Sequence, residues 1–451
     1  MAQRYDQWLL DRLQSDDEDE LAIAIVQQAI ADILDDEGHK QASRPAKKKK
    51  HIHRNRAAAH QQILQDYFTP GATYEDLFRR RYRMSRQLFD RICTEVTQHD
   101  SYFQQKCDAA GRPGLSPVQK ITAALRMMTN GCSADACDEY IRIGETTTLE
   151  SLRRFAIAII EIFSKRYLRT PTAEDVKKHL NINAARGFPG MFGSLDCTHW
   201  TWKNCPVAWL GHYQDRKGLR SIVMEAVSTQ DLWIWHAFIG IPGSNNDINV
   251  LDRSPLLPEW FKGPAKEAEY QINGVNYQGS YLLADGIYPD STLFVKTFSN
   301  PQSAKLKHFA KQQEAVRKDV ERCFGVLKSR FSILNGAGRL WDIEVMKNIW
   351  TSAVIMHNMI LEDERKDERI ECGADIENGG DDADEDGTDR EDGGDDEDED
   401  GTDREDDDDD EEDKVEAFRA WREQIADAAS VTKLRSDLVD HLWNRQGDAI
   451  N

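Results

Sequence analysis

The tightest constraint on this chain lies at residues 280–331, where a short apolar strand pattern gives way to a long amphipathic helix pattern. In SYLLADGIYP, Tyr281, Leu282, Leu283 and Ala284 run apolar into Asp285, and Gly286 and Pro289 then break the run. In KQQEAVRKDVERCFGVLKSRF, Val316, Val320, Phe324, Leu327 and Phe331 recur at three and four along one face. Glu321 stands at the edge of that face, with Arg317 four residues before it and Lys328 seven after. Upstream, FGSLDCTHW ends another apolar run on Asp196. Two acids at strand ends and a third on a later helix can converge on one divalent-metal site. Among 80 Asp and Glu, spacing selects nothing; placement does.

The surrounding pattern predicts the fold. MFGSLD, THWTWK, GLRSIVMEAVST, LWIWHAFIGIPGS, YLLAD and LFVKTF follow one another as short apolar runs, with helical spacing at about 247–254 and 311–330. Three strands of antiparallel type, then helix–strand alternation, then a long helix, predict an α/β fold over 186–365: a ribonuclease-H-like mixed sheet flanked by helices. Residues 57–185 read as helical. Pro117 suits a first turn, Gly131 and Gly144 suit helix ends, and Thr147 with Glu150 suits a capping box. This unit resembles a helix-turn-helix whose last helix carries Arg153 and Arg154; DNA reading and plain packing both suit it.

Charge divides the rest. Residues 381–413 hold 24 acids against Arg390 and Arg404, which equals the net charge of −22 for the whole chain. Residues 366–413 are therefore expected to be a disordered acidic segment, in which DEDGTDRED occurs twice. A helical tail, 414–451, follows, with Leu434, Leu438, Leu442 and Trp443 expected to dock on the globular part. At the other end, residues 1–56 form an arm, acidic and then basic. Its run RPAKKKKHIHRNR, with Lys47, Lys48, Lys49 and Lys50, suits nuclear import or phosphate contact. Arg79, Arg80 and Arg83 beside aromatics suit DNA backbone contact, as does a plain basic helix face. Arg317 and Lys328 are further candidates for phosphate. The eight cysteines show no Cys-x-x-Cys, no signal peptide is evident, and no apolar run is long enough to span a membrane, so an intracellular location is expected.

Two divalent ions about 4 Å apart can activate water and stabilise the leaving oxygen of a phosphodiester. Magnesium asks for oxygen ligands, so a few carboxylates suffice. Asp196 would bridge two Mg²⁺ (or Mn²⁺) ions, with Asp285 and Glu321 each holding one side. The segments GFPGMFGSLDCTHWTWKNCP, DLWIWHAFIGIPGSNNDINVLDRSPL, YLLADGIYP and AVRKDVERCFGVLKSRF closely resemble transposases of the PIF/Harbinger superfamily, the plant-transposon-protein branch. The resemblance runs from about residue 54 to 362 and again over LRSDLVDHLW. It implies a ribonuclease-H-like DDE nuclease with catalytic, metal-holding acids at Asp196, Asp285 and Glu321. It also implies nuclear action on DNA, a separate Myb-like DNA-binding partner and a homo-oligomer on DNA. A domesticated derivative, serving as a non-catalytic chromatin or transcription cofactor, is the alternative. Asp247, in GSNNDINVL, matches a motif of that family and could be taken for the second acid, but is expected to have a structural or helix-capping role. His199 and Trp200 either line the site or pack the strand; His357 and Asn358 are expected to satisfy buried hydrogen bonds.

Overall fold

Short, nearly continuous apolar runs between 191 and 242 build an antiparallel meander of three strands: β1 (Met191–Thr201), β2 (Ser221–Ser228) and β3 (Ile234–Pro242). A separate hairpin follows, β4 (Glu269–Ile272) and β5 (Val275–Gln278), turning at Asn273-Gly274, both with positive φ. This hairpin adds to the expected strands, and the Asn-Gly pair is its signal in the sequence. Next come β6 (Tyr281–Leu283), parallel to β1, and β7 (Phe294–Val295), parallel to β6. The result is a five-stranded mixed sheet of order β3-β2-β1-β6-β7, flanked by helices. The computed structural model describes residues 54–371 and 428–448, with Ile52. The expectations placed on Lys47–Lys50, on the start of the tail and on most of the acidic segment lie outside the described residues; the first six residues of that segment, 366–371, expected to be disordered, instead end the helix Ile343–Glu371.

MFGSLD and THWTWK, which read as two runs, are one continuous strand. Asp196 therefore lies in mid-strand, not at a strand end. At Gly193 the register of β1 against β6 shifts, and an added Cβ there would meet the Ser228 carbonyl oxygen at 2.6 Å. On one face of the sheet Leu195 and Val227 pack with Phe192, Trp235 and Trp260. On the other, Ala226, Met224 and Trp200 meet Val320, Phe324 and Leu327 of the helix Ala304–Arg330. That core extends without a break from Ile63 to Ile360, so the helical part and the sheet share it.

In the helical part, Pro117–Asn130 opens with a capping box between Ser116 and Gln119 and ends at Gly131 in the left-handed region, as its sequence indicates. The capping box expected at Thr147 and Glu150 is absent. The helix there, Glu145–Tyr167, starts from Gly144, so Thr147 already lies within its first turn. It buries Leu152, Phe155, Ala156 and Ile159 and packs against both Pro117–Asn130 and the helix Ile343–Glu371. Arg154 pairs with Glu150 and Asp100, while Arg153 is exposed. The C-terminal helix Ala428–Asp448 docks as expected: Leu434, Leu438 and Leu442 are buried with Phe309, Val316 and Phe188. Trp443 is the exception, 39% exposed at the edge of the His308 ring.

Candidate active site

Asp196 and Glu321 are brought to one arginine where the sheet narrows. Parallel pairing between β1 and β6 ends at Ser194 and Leu283, so β1 runs on with only β2 beside it. Asp196 emerges just past that point, and Asp285 follows two residues after β6, exposed. Glu321 comes from the helix Ala304–Arg330. The sequence places these three on separate elements, and one arginine joins two of them. Arg317 Nη1 lies 3.7 Å from Asp196 Oδ2, and its Nη2 lies 2.7 Å from Glu321 Oε1. Burial pushes the Asp196 carboxyl up to about 6; Arg317 opposes this, while Glu321 and Asp247 push the same way.

Asp247 does not take the helix-capping part of its expected role. The cap of the short helix Asp247–Leu251 is Asn246, whose side chain accepts the Asn249 N–H, so Asp247 is left over from capping. Its carboxyl is half-buried and raised, first by burial, with His199 drawing it down and Asp285 pushing it up. Arg216 also draws it down. Asp247 thus feels both Asp196 and Asp285, and four carboxylates influence one another here. Asp247 and Arg216 are the members of this group that the strand and helix patterns do not single out. The basic turn Asp215-Arg216-Lys217-Gly218 is the available signal for the second of them.

Among the described residues, no three His, Cys, Asp or Glu side chains stand together as a group that could hold a metal ion. Two of the acids are engaged locally. Arg317 holds Glu321, and Asp285 Oδ1 accepts the N–H of its neighbour Gly286 at 2.6 Å. In kind the donors suit a hard divalent cation: they are carboxylate oxygens, mutually repelling, with a guanidinium in the place of positive charge.

The other candidates separate clearly. Lys328 Nζ donates to Thr198 Oγ1 at 2.8 Å, two residues along β1 from Asp196, and burial lowers its pKa. Arg79 pairs with Glu364. Arg80 is exposed, and Arg83 closes the helix Phe78–Tyr82 with φ of 63° and a buried Nε. Neighbouring Arg81 and Arg86 lie over Tyr74 and Phe68, so much of this arginine cluster holds aromatic rings. His199 Nδ1 meets Ser221 Oγ at 2.9 Å, and the Trp200 indole donates to the Gly336 carbonyl. Asn358 accepts the Ile234 N–H and donates to the carbonyls of Ile234 and Tyr167; His357 bonds to the Leu232 carbonyl. Both satisfy buried groups.

Residues 165–368 match the family of plant transposon proteins, and residues 60–97 match a domain of unknown function. "Protein ALP1-like" of Arabidopsis thaliana is 26% identical over 304 residues, 65% of this chain and 72% of that protein. "Putative nuclease HARBI1" of Homo sapiens is 26% identical over 252 residues, 55% of this chain and 68% of that protein. Its Bos taurus counterpart is 27% identical over the same span. No solved structure matches.

Proposed function

We propose, from the match of residues 165–368 to the family of plant transposon proteins, that the protein is a DDE-type DNA endonuclease that cuts and joins phosphodiesters with two divalent ions. The observation that carries the reading is the shared guanidinium: Asp196 on β1 and Glu321 on the long helix reach one Arg317, with Asp285 and Asp247 close enough to act on the same charges. The strand order β3-β2-β1-β6-β7, an antiparallel meander followed by parallel strands, supports a ribonuclease-H-like core. Asp196, Asp285 and Glu321, with Asp247 beside them, would hold Mg²⁺ or Mn²⁺, which would supply an activated water and charge neutralisation at the scissile phosphate.

The chain's own groups prepare that chemistry. Burial keeps Asp196 poorly hydrated and therefore eager for a cation. Arg317 keeps the acids from repelling each other apart, and its release of Glu321 opens the set. Lys328 fixes the Thr198 hydroxyl beside Asp196. The same reading carries with it a nuclear location, a Myb-like DNA-binding partner and self-association on DNA.

Purified protein, incubated with supercoiled DNA and Mg²⁺, should nick it. Asp196→Asn, Asp285→Asn and Glu321→Gln should each lower the rate by at least about 100-fold, the lower end of what one group in such a site supplies. If Asp285→Asn cuts normally while Asp247→Asn does not, the second acid has been misassigned. The absence of a ready-made three-ligand group among the described residues favours one other reading, the non-catalytic cofactor. Calorimetry with Mn²⁺ separates them: a nuclease binds the ion through Asp196, and a scaffold shows no binding that Asp196→Asn removes.

A further inference from the structure

Among the described residues seven large apolar side chains are conspicuously exposed, and four of them, Val207, Trp209, Leu219 and Trp341, lie on two segments tied together. The first is the insert between β1 and β2, residues 203–220; the second is the stretch around 338–341. Trp202 joins them. Its ring packs 6.0 Å from Trp209, and its indole N–H donates to the Leu340 carbonyl. Lys203 N–H donates to the Gly338 carbonyl beside it. Trp209 is itself supported by Tyr213, near-parallel at 27°, and stays 45% exposed; Trp341 is 67% exposed. A soluble surface rarely offers two such rings without a use.

The charge around the rings names the partner. Residues 203–220 carry two lysines and two arginines against Asp215, in a chain whose net charge is −22. Lys203, Arg216, Lys217, Arg220 and Arg339 are exposed, and none forms an ion pair among the described residues. Asp215, the one acid of the insert, accepts the backbone N–H groups of Lys217 and Leu219 and so shapes the turn that presents the cations. The patch adjoins the carboxylates: Arg216 acts on Asp247, and Lys217 acts on His199. Flat aromatic faces among unpaired cations are what an unstacked nucleic-acid strand requires. Rings take bases, and cations take phosphates.

We infer that the insert between β1 and β2, together with Trp341, is a stacking platform that holds an unpaired DNA strand beside the carboxylate site. The inference rests on the nuclease reading for its choice of DNA, and it adds where the strand lies and in what form.

The test uses the full chain and fluorescein-labelled oligonucleotides, single-stranded and duplex, followed by anisotropy across a salt series. Trp341→Ala should weaken single-strand binding by about 5- to 150-fold, the range of one lost base stack. Trp341→Phe should restore most of it, and duplex affinity should hardly move. Replacing Arg216 and Lys217 by Gln should lower the salt slope by roughly 0.7 for each phosphate no longer neutralised. Trp341 is too exposed for its loss to unfold the chain, so it reports where Trp209→Ala would be ambiguous. Unchanged single-strand affinity in Trp341→Ala, or an equal loss for duplex, overturns the platform, as does a parent chain that binds no single strand. A parent that binds single strands through Trp341 yet never nicks DNA upholds the platform and removes the nuclease reading.

Discussion

Arg317 decides the state of the carboxylates. Its guanidinium has 17% of its side chain exposed, so the charge it offers Asp196 and Glu321 is only partly screened. Even so, the Asp196 carboxyl is raised to about 6, because burial outweighs the arginine. The sign follows from linkage. A carboxyl whose folded pKa exceeds its unfolded value binds its proton more tightly when folded. Its contribution to stability is therefore greatest below about pH 4 and declines as pH rises towards 6. A rise of that size sets an upper limit of roughly 3 kcal/mol on what ionising Asp196 costs the fold. Asp196→Asn should thus melt higher than the parent at pH 7.5 in chelator, and the gain should vanish near pH 4. Melting curves at the two pH values check this, and an equal or lower melting temperature at pH 7.5 rejects it. Divalent ions should erase the parent's deficit, since they occupy the charge that burial leaves unsatisfied.

At the scale of elements, the helix Ala304–Arg330 both closes the sheet and carries Glu321. Gln313, fully buried on it, donates to the carbonyls of Ala284 and Val295, tying the ends of β6 and β7 to the helix just before Asp285. Gln313→Leu leaves both carbonyls without a partner and should destabilise the protein by about 2–4 kcal/mol. Chemical denaturation measures it; a loss under about 0.5 kcal/mol, less than one ordinary hydrogen bond, means that the tie is unimportant. The buried face of this helix is legible in the sequence, because a period of 3.6 writes burial directly into the order of Val316, Val320, Phe324 and Leu327. The strands are legible as short apolar runs, because this sheet is covered on both faces. What escapes is non-local or depends on backbone angles. Nothing in the sequence distinguishes Asn246 from Asp247 as a cap, since that follows from the φ and ψ at which the helix starts. Nor can the hold of Arg317 on Asp196 be read, because it joins a strand to a helix far along the chain. Asp196 reads as a strand end because its polarity interrupts the apolar run, whereas β1 continues through it on β2 pairing alone.

For the molecule as a whole, a helix distant in sequence covers the one that carries Glu321. The helix Ala428–Asp448 buries Leu434, Leu438 and Leu442 against Phe309 and Val316, on the same long helix that carries Glu321. Leu438 is completely buried, so Leu438→Ala should cost about 2–5 kcal/mol. Because Arg435 donates to the Thr297 carbonyl and Arg445 to those of Ala184 and Ala185, loosening this helix should also raise hydrogen exchange in the neighbouring segments. Exchange confined to the helix itself argues that it is merely appended.

The strand order also governs how such a chain is made. β1 finds β2 and β3 in adjacent sequence, pairings that close quickly, but it meets β6 only across the long excursion through β4 and β5. A chain emerges from the ribosome N-terminus first, at about 5–20 residues per second. Asp196 is therefore already in its meander while Asp285 and Glu321 have yet to be synthesised. The carboxylates can meet only after the helix ending at Arg330 has emerged, and part of its apolar cover waits for the helix Ala428–Asp448, about a hundred residues later. A nascent polypeptide that has not reached this helix carries the pieces of the site without the site.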